Sequence, residues 1–193
     1  MRRILNLAHK DRIVFADAEY INGALHLDVR PSQEHWKEVT QIGAVRCVKG
    51  NISEKFNVRV LPRIMGNDKN SMNEKSWQQY QKITGIDKEN VMSATMQFED
   101  AWEQFKKFVD SDPIVIMLGD REVYKWNWKL LGKDYDDKID VMDWIILKPL
   151  LKSEHQPYCS GELASLLNIS IDGNEHDALY DATSMALYCL NID

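Results

Sequence analysis

Two carboxylates stand one residue apart at the end of a short apolar segment, Ile13-Val-Phe-Ala-Asp-Ala-Glu-Tyr20. The segment is predicted to be a buried β-strand, and because side chains alternate across a strand, Asp17 and Glu19 share one face. Neighbouring like charges on a buried face raise each other's pKa and require a compensating positive charge. A hard divalent cation such as magnesium or manganese suits these oxygen ligands better than zinc does. The plainer interpretation is a strand that ends in a solvated turn.

A histidine and an aspartate lie five residues apart near the C-terminus, in Asn174-Glu-His-Asp-Ala-Leu-Tyr-Asp-Ala. Asp181 borders a helical stripe of small and apolar residues, where an acid is costly without a partner. His176 lies in the turn entering this helix and can face the same cleft. The alternative is an ordinary helix start, with Asp177 near the positive end of the helix dipole.

A further acidic group, Gly119-Asp-Arg-Glu122, follows the apolar segment 114–118. This segment is predicted to be a strand buried on both faces that opens into a helix. Ligands usually bind at the C-terminal ends of strands in open α/β sheets, so an acid here can meet the first pair of carboxylates if the strands are neighbours. An N-cap role for Asp120, with Arg121 solvated, is the alternative.

Hydrophobic periodicity predicts the elements that position these acids. An antiparallel hairpin is predicted from strands over 39–48 and 52–61, joined by a turn at Lys49-Gly50-Asn51. Residues 20–36 are predicted to form a loop, and 139–151 a short strand over 139–142 leading into a helix. Other helices are predicted over 74–83, 96–109, 123–131, 160–167 and 175–190. We therefore expect one α/β domain over residues 1–193, with a mixed sheet flanked by helices.

Length and composition bound the class of protein. The 193 residues, 44% hydrophobic and 28% charged, are typical of one globular domain. A net charge of −6 argues against coating nucleic acid by bulk charge, although one basic patch could still seat a phosphate backbone. Three separated cysteines predict neither a disulfide framework nor a zinc knuckle. Without a secretory signal or an apolar stretch of roughly 20 residues, an intracellular, cytoplasmic protein with no membrane partner is expected.

Together, the three acidic groups resemble those of the DEDDh three-prime to five-prime exonucleases of the ribonuclease H-like superfamily, most closely the histone-mRNA exonuclease and sporulation-inhibitor group. Asp17-Ala-Glu19 matches the first motif, Asp-x-Glu, and His176 to Asp181 matches the last, His-x-x-x-x-Asp. The segments Gln41-Ile-Gly-Ala-Val45 and Ile83-Thr-Gly-Ile86 look like further landmarks of the family. The resemblance covers nearly the whole chain and implies a ribonuclease H-like, mixed five-stranded sheet, with an antiparallel hairpin plus parallel strands, flanked by helices.

The second motif departs from the family pattern. Relatives commonly have Gly-x-x-Asp here, whereas Gly119-Asp-Arg-Glu122 places a glutamate at the last position. Either Glu122 serves with one extra methylene or Asp120 takes its place, and the spacing from the strand end favours Glu122. A third possibility is reduced activity, because a longer carboxylate shifts a metal ion whose placement matters at the ångström scale.

The resemblance implies a metal-dependent nuclease that shortens single-stranded RNA or DNA from its three-prime end, with RNA favoured, and releases nucleoside monophosphates. Two magnesium or manganese ions would be held by Asp17, Glu19 and Asp181, with Glu122 or Asp120 completing the site. His176 would accept a proton from the attacking water, a task suited to the ordinary histidine pKa of about 6.5.

Aromatic residues are candidates for stacking on terminal bases, chiefly Tyr20 and Trp126, with Trp36 and Trp128 as further candidates. Lysines after the second motif are candidates for phosphate contacts, and a solvated face explains them equally well. A rival function is a catalytically weakened exonuclease-fold protein that binds nucleic-acid ends or a protein partner. The basis for this alternative is that the second motif lacks the aspartate that relatives commonly have.

Overall fold

The fold is described by a computed structural model for residues 12–22, 37–63, 71–109, 114–119, 121–133, 143–151 and 159–191. Five strands form one mixed sheet in the spatial order β3-β2-β1-β4-β5. The strands are β1 (Arg12–Asn22), β2 (Lys37–Val48), β3 (Asn51–Arg59), β4 (Ile114–Met117) and β5 (Asp143–Ile146). The helices are α1 (Ser71–Thr84), α2 (Lys88–Met92), α3 (Phe98–Val109), α4 (Arg121–Leu130) and α5 (Ala178–Asn191). The predicted five-stranded sheet flanked by helices is confirmed.

The antiparallel half of the sheet is the predicted hairpin, with β2 paired to both β1 and β3. Its two-residue turn has positive φ at both Lys49 (49°) and Gly50 (79°). A turn of this kind matches the right-handed twist of the flanking strands and needs left-handed backbone at both positions. The glycine accepts this conformation without the steric cost that a side chain adds.

The parallel half of the sheet brings the segment after β4 to the edge that carries the β1 carboxylates. β4 pairs in parallel with β1, with Val14 opposite Val115 and Phe15 opposite Ile116. β5 continues the parallel arrangement beside β4. Because parallel strands end at the same edge, the residues after β4 lie beside the carboxylates at the end of β1.

The alternation of β1 divides the core into two layers. Val14, Ala16 and Ala18 pack in one buried layer with aromatic side chains of α3 and α4. Ile13 and Phe15 face the other layer, which includes the apolar side of α5. Burial therefore holds the strand in one register, since a shift of one residue would exchange its two faces.

Two predictions for the C-terminal third are wrong. Residues 143–146 form β5, where a helix was predicted, because the parallel edge of β4 supplies backbone partners that periodicity cannot reveal. The predicted strand over 139–142 and most of the predicted loop over 20–36 lie outside the described residues. The helix predicted over 160–167 is instead two 3-10 turns, Ser160–Glu162 and Ser165–Leu167. Serine and glycine have weak helix propensity, and contacts to α5 determine the local path.

None of the described helices has the length and apolar character needed to cross a bilayer.

Gly43 sets how closely α5 approaches the sheet. A Cβ at this position would lie 2.2 Å from both the Ala178 carbonyl carbon and the Leu179 nitrogen. Such contacts force backbone to move, since neither atom belongs to a flexible side chain. In the β1–β2 register, Gly43 lies opposite Asp17, so it also sets the distance between the helix and the β1 carboxylates.

Replacing this glycine is expected to damage both stability and the site. Gly43→Ala should lower the free energy of unfolding by about 1–3 kcal/mol, the usual effect of overpacking, and should weaken divalent-ion binding by displacing α5. Urea unfolding monitored by circular dichroism measures the first effect. Gly119→Ala is the matched control, because a Cβ there meets no atom within 4 Å. Equal unfolding midpoints for the two variants would contradict this account of the packing.

Candidate active site

Three acids that are far apart in the sequence meet at the C-terminal edge of β1. Oxygen atoms of Asp17, Glu19 and Asp181 all lie within 4.8 Å of one another. All three residues are buried, with exposed fractions of 7%, 9% and 2%. β1 supplies the first two from one face, and the first turns of α5 supply the third.

The start of α5 is held by a polar network from β2. The Gln41 amide nitrogen donates to an Asp177 carboxylate oxygen at 3.0 Å, and the Ala178 backbone N–H donates to the Gln41 side-chain oxygen at 3.4 Å. Asp177 in turn accepts from the N–H groups of Leu179 and Tyr180, at 3.0 and 3.3 Å. Asp177 therefore caps the helix, which begins at Ala178 rather than at the predicted residue 175.

His176 occupies an unusual backbone conformation just before the cap. Its φ of 63° lies in the left-handed region, which costs free energy for a residue with a side chain and is commonest near functional sites. The His176 N–H donates to an Asp181 carboxylate oxygen at 3.2 Å. This geometry holds the partly exposed imidazole beside the cluster of acids, and His176 lines the same cavity as they do.

Ser160 bridges two of the acids, a contact that the sequence analysis did not anticipate. Its buried hydroxyl lies 2.9 Å from an Asp17 oxygen and 3.0 Å from an Asp181 oxygen. One hydroxyl has one proton, so it donates to only one of these carboxylates at a time. The next residue is necessarily small, because a Cβ on Gly161 would lie 2.5 Å from the Asp181 carboxylate. Neither residue belongs to a spacing motif, so only the fold identifies them.

Burial makes ionisation of Asp181 unfavourable. It raises the pKa of Asp181 from 3.8 to about 6, against the opposing effects of the Ser160 hydrogen bond and the charge of His176. Three buried carboxylates with hard oxygen donors are the kind of set that magnesium or manganese occupies. A divalent cation would favour the ionised form and remove the cost, so the residues present fit the predicted metal site.

This pKa shift predicts a pH-dependent stability in metal-free protein. Because the folded-state pKa of Asp181 exceeds its ordinary value, the fold is favoured while the group is protonated, and that advantage is lost as pH rises through about 6. From about pH 4 to about pH 7 the loss should be on the order of 3 kcal/mol.

Urea unfolding in chelator across this pH range, compared with Asp181→Asn, measures the effect. The variant should lose this component of the pH dependence, because its amide does not titrate. Parallel pH profiles for the parent and the variant would contradict the assignment.

A cavity of about 510 Å³ opens above the acids, within the usual range for small-ligand sites of about 300–1,000 Å³. Besides the acids, its wall includes Tyr20, Tyr80, Ile83, Thr84, Lys148, Cys159, Ser160 and His176. A second cavity of about 750 Å³ shares Ile83, Thr84 and His176 with it and adds the cationic side chains Arg59 and Lys82. The two cavities adjoin at these shared residues, and the second is lined by the acids Glu175 and Asp177 as well as by its two cations.

The aromatic residues that are predicted to stack on bases lie in different environments. Tyr20 lines the cavity, and its hydroxyl accepts a hydrogen bond from Lys37 at 3.2 Å. Trp126 lies on α4, with the Lys129 ammonium 4.7 Å from its ring centroid, and is not among the residues that line the cavity. Trp128 is only 3% exposed in the core, so its candidacy for base stacking is wrong. Trp36 lies outside the described residues.

The second motif offers two candidate acids, and the structure describes one of them, Glu122. The Glu122 side chain is 65% exposed, and its carboxylate lies 3.3 Å from the Lys125 ammonium. Glu122 is not among the residues that line the cavity. Asp120 lies outside the described residues, so the choice between these two acids remains a prediction.

Comparison with known protein families finds one that matches most of the chain. Residues 14–188 match the sequence profile of the Exonuclease family. A comparison with curated protein sequences finds no match. These residues span the acids of β1, the segment after β4 and the start of α5.

Solved structures share the fold at low sequence identity. The nuclease domain of 3'hExo, a DEDDh family member bound to rAMP, is 17% identical with a TM-score of 0.68, covering 93% of this chain and 90% of that one. A 3'-exonuclease that recognises the histone mRNA stem-loop is 15% identical with a TM-score of 0.68, covering 94% and 81%. E. coli Exonuclease I in complex with a dA16 oligonucleotide is 13% identical with a TM-score of 0.58, covering 92% and 39%. The mixed sheet flanked by helices is therefore the ribonuclease H-like exonuclease fold.

Proposed function

Because the chain belongs to the Exonuclease family, we propose that it hydrolyses single-stranded RNA or DNA from the three-prime end and releases nucleoside monophosphates. The observation that carries the proposal is the convergence of Asp17, Glu19 and Asp181 in a buried cluster beside His176. The structural neighbours include proteins bound to rAMP, to an RNA stem-loop and to a DNA oligonucleotide. We favour RNA as the substrate and propose that the chain belongs to the histone-mRNA exonuclease and sporulation-inhibitor group.

The carboxylates of Asp17, Glu19 and Asp181 would hold two magnesium or manganese ions, since their oxygens cluster within 4.8 Å of one another. Bound ions would activate the attacking water and neutralise charge on the oxygens of the phosphodiester. Glu122 or Asp120 would supply the fourth carboxylate. Ser160 would position Asp17 and Asp181 relative to each other.

His176 would act as the general base by accepting a proton from the attacking water at a ring nitrogen. The backbone hydrogen bond to Asp181 holds the residue beside the cluster of acids, where the phosphodiester would bind, and partial exposure would let the proton pass on to solvent. The nearby carboxylate would stabilise the imidazolium that forms. Cys159 is an unsuitable nucleophile, since burial raises its thiol pKa to about 11.

The two adjoining cavities suit one terminal nucleotide followed by a backbone. The first cavity would hold the terminal nucleotide, with Tyr20 available for stacking on its base. Upstream phosphates would pass towards Arg59 and Lys82 in the adjoining cavity. Trp126 would contact a more distant part of the strand.

Digestion of matched RNA and DNA oligonucleotides labelled at the five-prime end tests the proposal. With magnesium or manganese, we expect a ladder that shortens stepwise from the three-prime end and nucleoside monophosphates as product. Excess chelator should stop the reaction. Internal cleavage, or full activity in chelator, would overturn the proposal.

The second candidate is a weakened nuclease that binds nucleic-acid ends or a protein partner, and the exposed Glu122 with its ion pair to Lys125 favours it. Calorimetric titration with manganese separates the candidates, because an intact site should bind two ions and a weakened site fewer. Comparing Asp120→Asn with Glu122→Gln then identifies the fourth carboxylate as the one whose loss abolishes binding of one ion.

A further inference from the structure

A second set of potential metal ligands overlaps the cluster of acids. The Cys159 sulfur, a ring nitrogen of His176 and an Asp181 carboxylate oxygen all lie within 4.8 Å of one another. Thiolate, imidazole and carboxylate are the ligands that zinc takes in proteins, whereas magnesium has little affinity for sulfur. The two sets share Asp181 and differ in metal preference.

The fold ties the three ligands together through short contacts. The His176 N–H is hydrogen-bonded to the Asp181 carboxylate. Cys159 directly precedes Ser160, whose hydroxyl lies 3.0 Å from the same carboxylate. Zinc–ligand bonds of about 2.0–2.3 Å in a tetrahedral site place ligand atoms about 3.3–3.8 Å apart, so the side chains need to close by no more than about 1.5 Å. Cys159 and His176 are both partly exposed, which leaves a path for an ion from the cavity.

We propose that Cys159, His176 and Asp181 form an inhibitory site for zinc or another thiophilic ion such as cadmium, with water or a substrate oxygen as the fourth ligand. Coordination releases the thiol proton of Cys159 to solvent as the metal–sulfur bond forms.

Binding there would oppose hydrolysis in two ways. It would occupy an imidazole nitrogen of the general base, and it would engage Asp181, which the magnesium set also needs. The inhibition rests on the proposed nuclease function, whereas the metal binding does not. The two parts can therefore be tested separately.

Metal binding to Cys159 can be tested by ultraviolet absorption spectroscopy. Of its three cysteines, Cys47 and Cys189 are 3% and 1% exposed in the core, so Cys159 is the accessible thiol. Cadmium titration of the parent should produce a cadmium–thiolate absorption band in the ultraviolet that saturates at one equivalent. Cys159→Ala should lose this band, and Ser170→Ala, at an exposed serine, should keep it. A band of equal size in Cys159→Ala would overturn the site.

Oligonucleotide digestion in excess magnesium tests the inhibition. With each protein's rate taken relative to its own rate without zinc, the zinc concentration that halves the rate should be at least about 10-fold higher for Cys159→Ala than for the parent. Equal inhibition of the parent and the variant would overturn the inhibitory role and leave the nuclease function standing. A cadmium band lost in Cys159→Ala, in a protein that cleaves no substrate, would support the site and overturn the nuclease function with its inhibition.

Discussion

Asp17→Asn is expected to reduce metal-dependent hydrolysis by at least about 10³-fold. Asp17 shares the buried cluster with Glu19 and Asp181, and the Ser160 hydroxyl links it to Asp181, so its carboxylate would help to hold the ions. An amide has a similar shape but lacks the negative charge that binds them. Single-turnover digestion in excess magnesium measures the loss without a contribution from product release.

The same substitution should leave the fold intact. Removing one of three clustered negative charges relieves repulsion, so the metal-free variant should unfold at a temperature no lower than the parent does. Manganese should raise the unfolding temperature of the parent and have little effect on Asp17→Asn, because ligand binding stabilises only a protein that retains the site. Asp100→Asn, at an exposed acid on α3, is the matched control. Unchanged hydrolysis by Asp17→Asn would remove the basis of the site.

His176→Asn is expected to lower the rate by about 10²–10⁴-fold, the usual contribution of a general base. Asparagine is the appropriate replacement, because it tolerates the left-handed backbone at this position better than alanine and keeps the backbone N–H that donates to Asp181. The ring nitrogen that would accept the proton is lost, while the three carboxylates remain.

The variant should therefore keep manganese binding and lose the rise in rate with pH that accompanies deprotonation of a general base. A pH–rate profile of kcat for the parent and for His176→Asn, with manganese binding measured by calorimetry, tests both parts. If both proteins show the same pH profile, another group accepts the proton. If His176→Asn also loses both ions, the histidine acts on the structure of the site rather than on the chemistry.

Local patterns determined the parts of this protein that depend on one segment at a time. The alternation in β1 predicted which face carries Asp17 and Glu19, and the two core layers confirm it. The turn at Lys49-Gly50 predicted the hairpin, because few residue pairs accept left-handed backbone at both positions.

Tertiary structure decided what depends on contacts between distant segments. β5 is a strand because the edge of β4 needs backbone partners, although its short apolar run suits a helix equally well. The Ser160 bridge arises because α5 and the segment before it converge on β1, and no spacing in the sequence marks this convergence. The sequence by itself determined which acids could act and on which face of β1 two of them lie. Their distance from Asp181 was decided by the packing of α5 on Gly43, since only the folded chain brings backbone from residues 43 and 178 into contact.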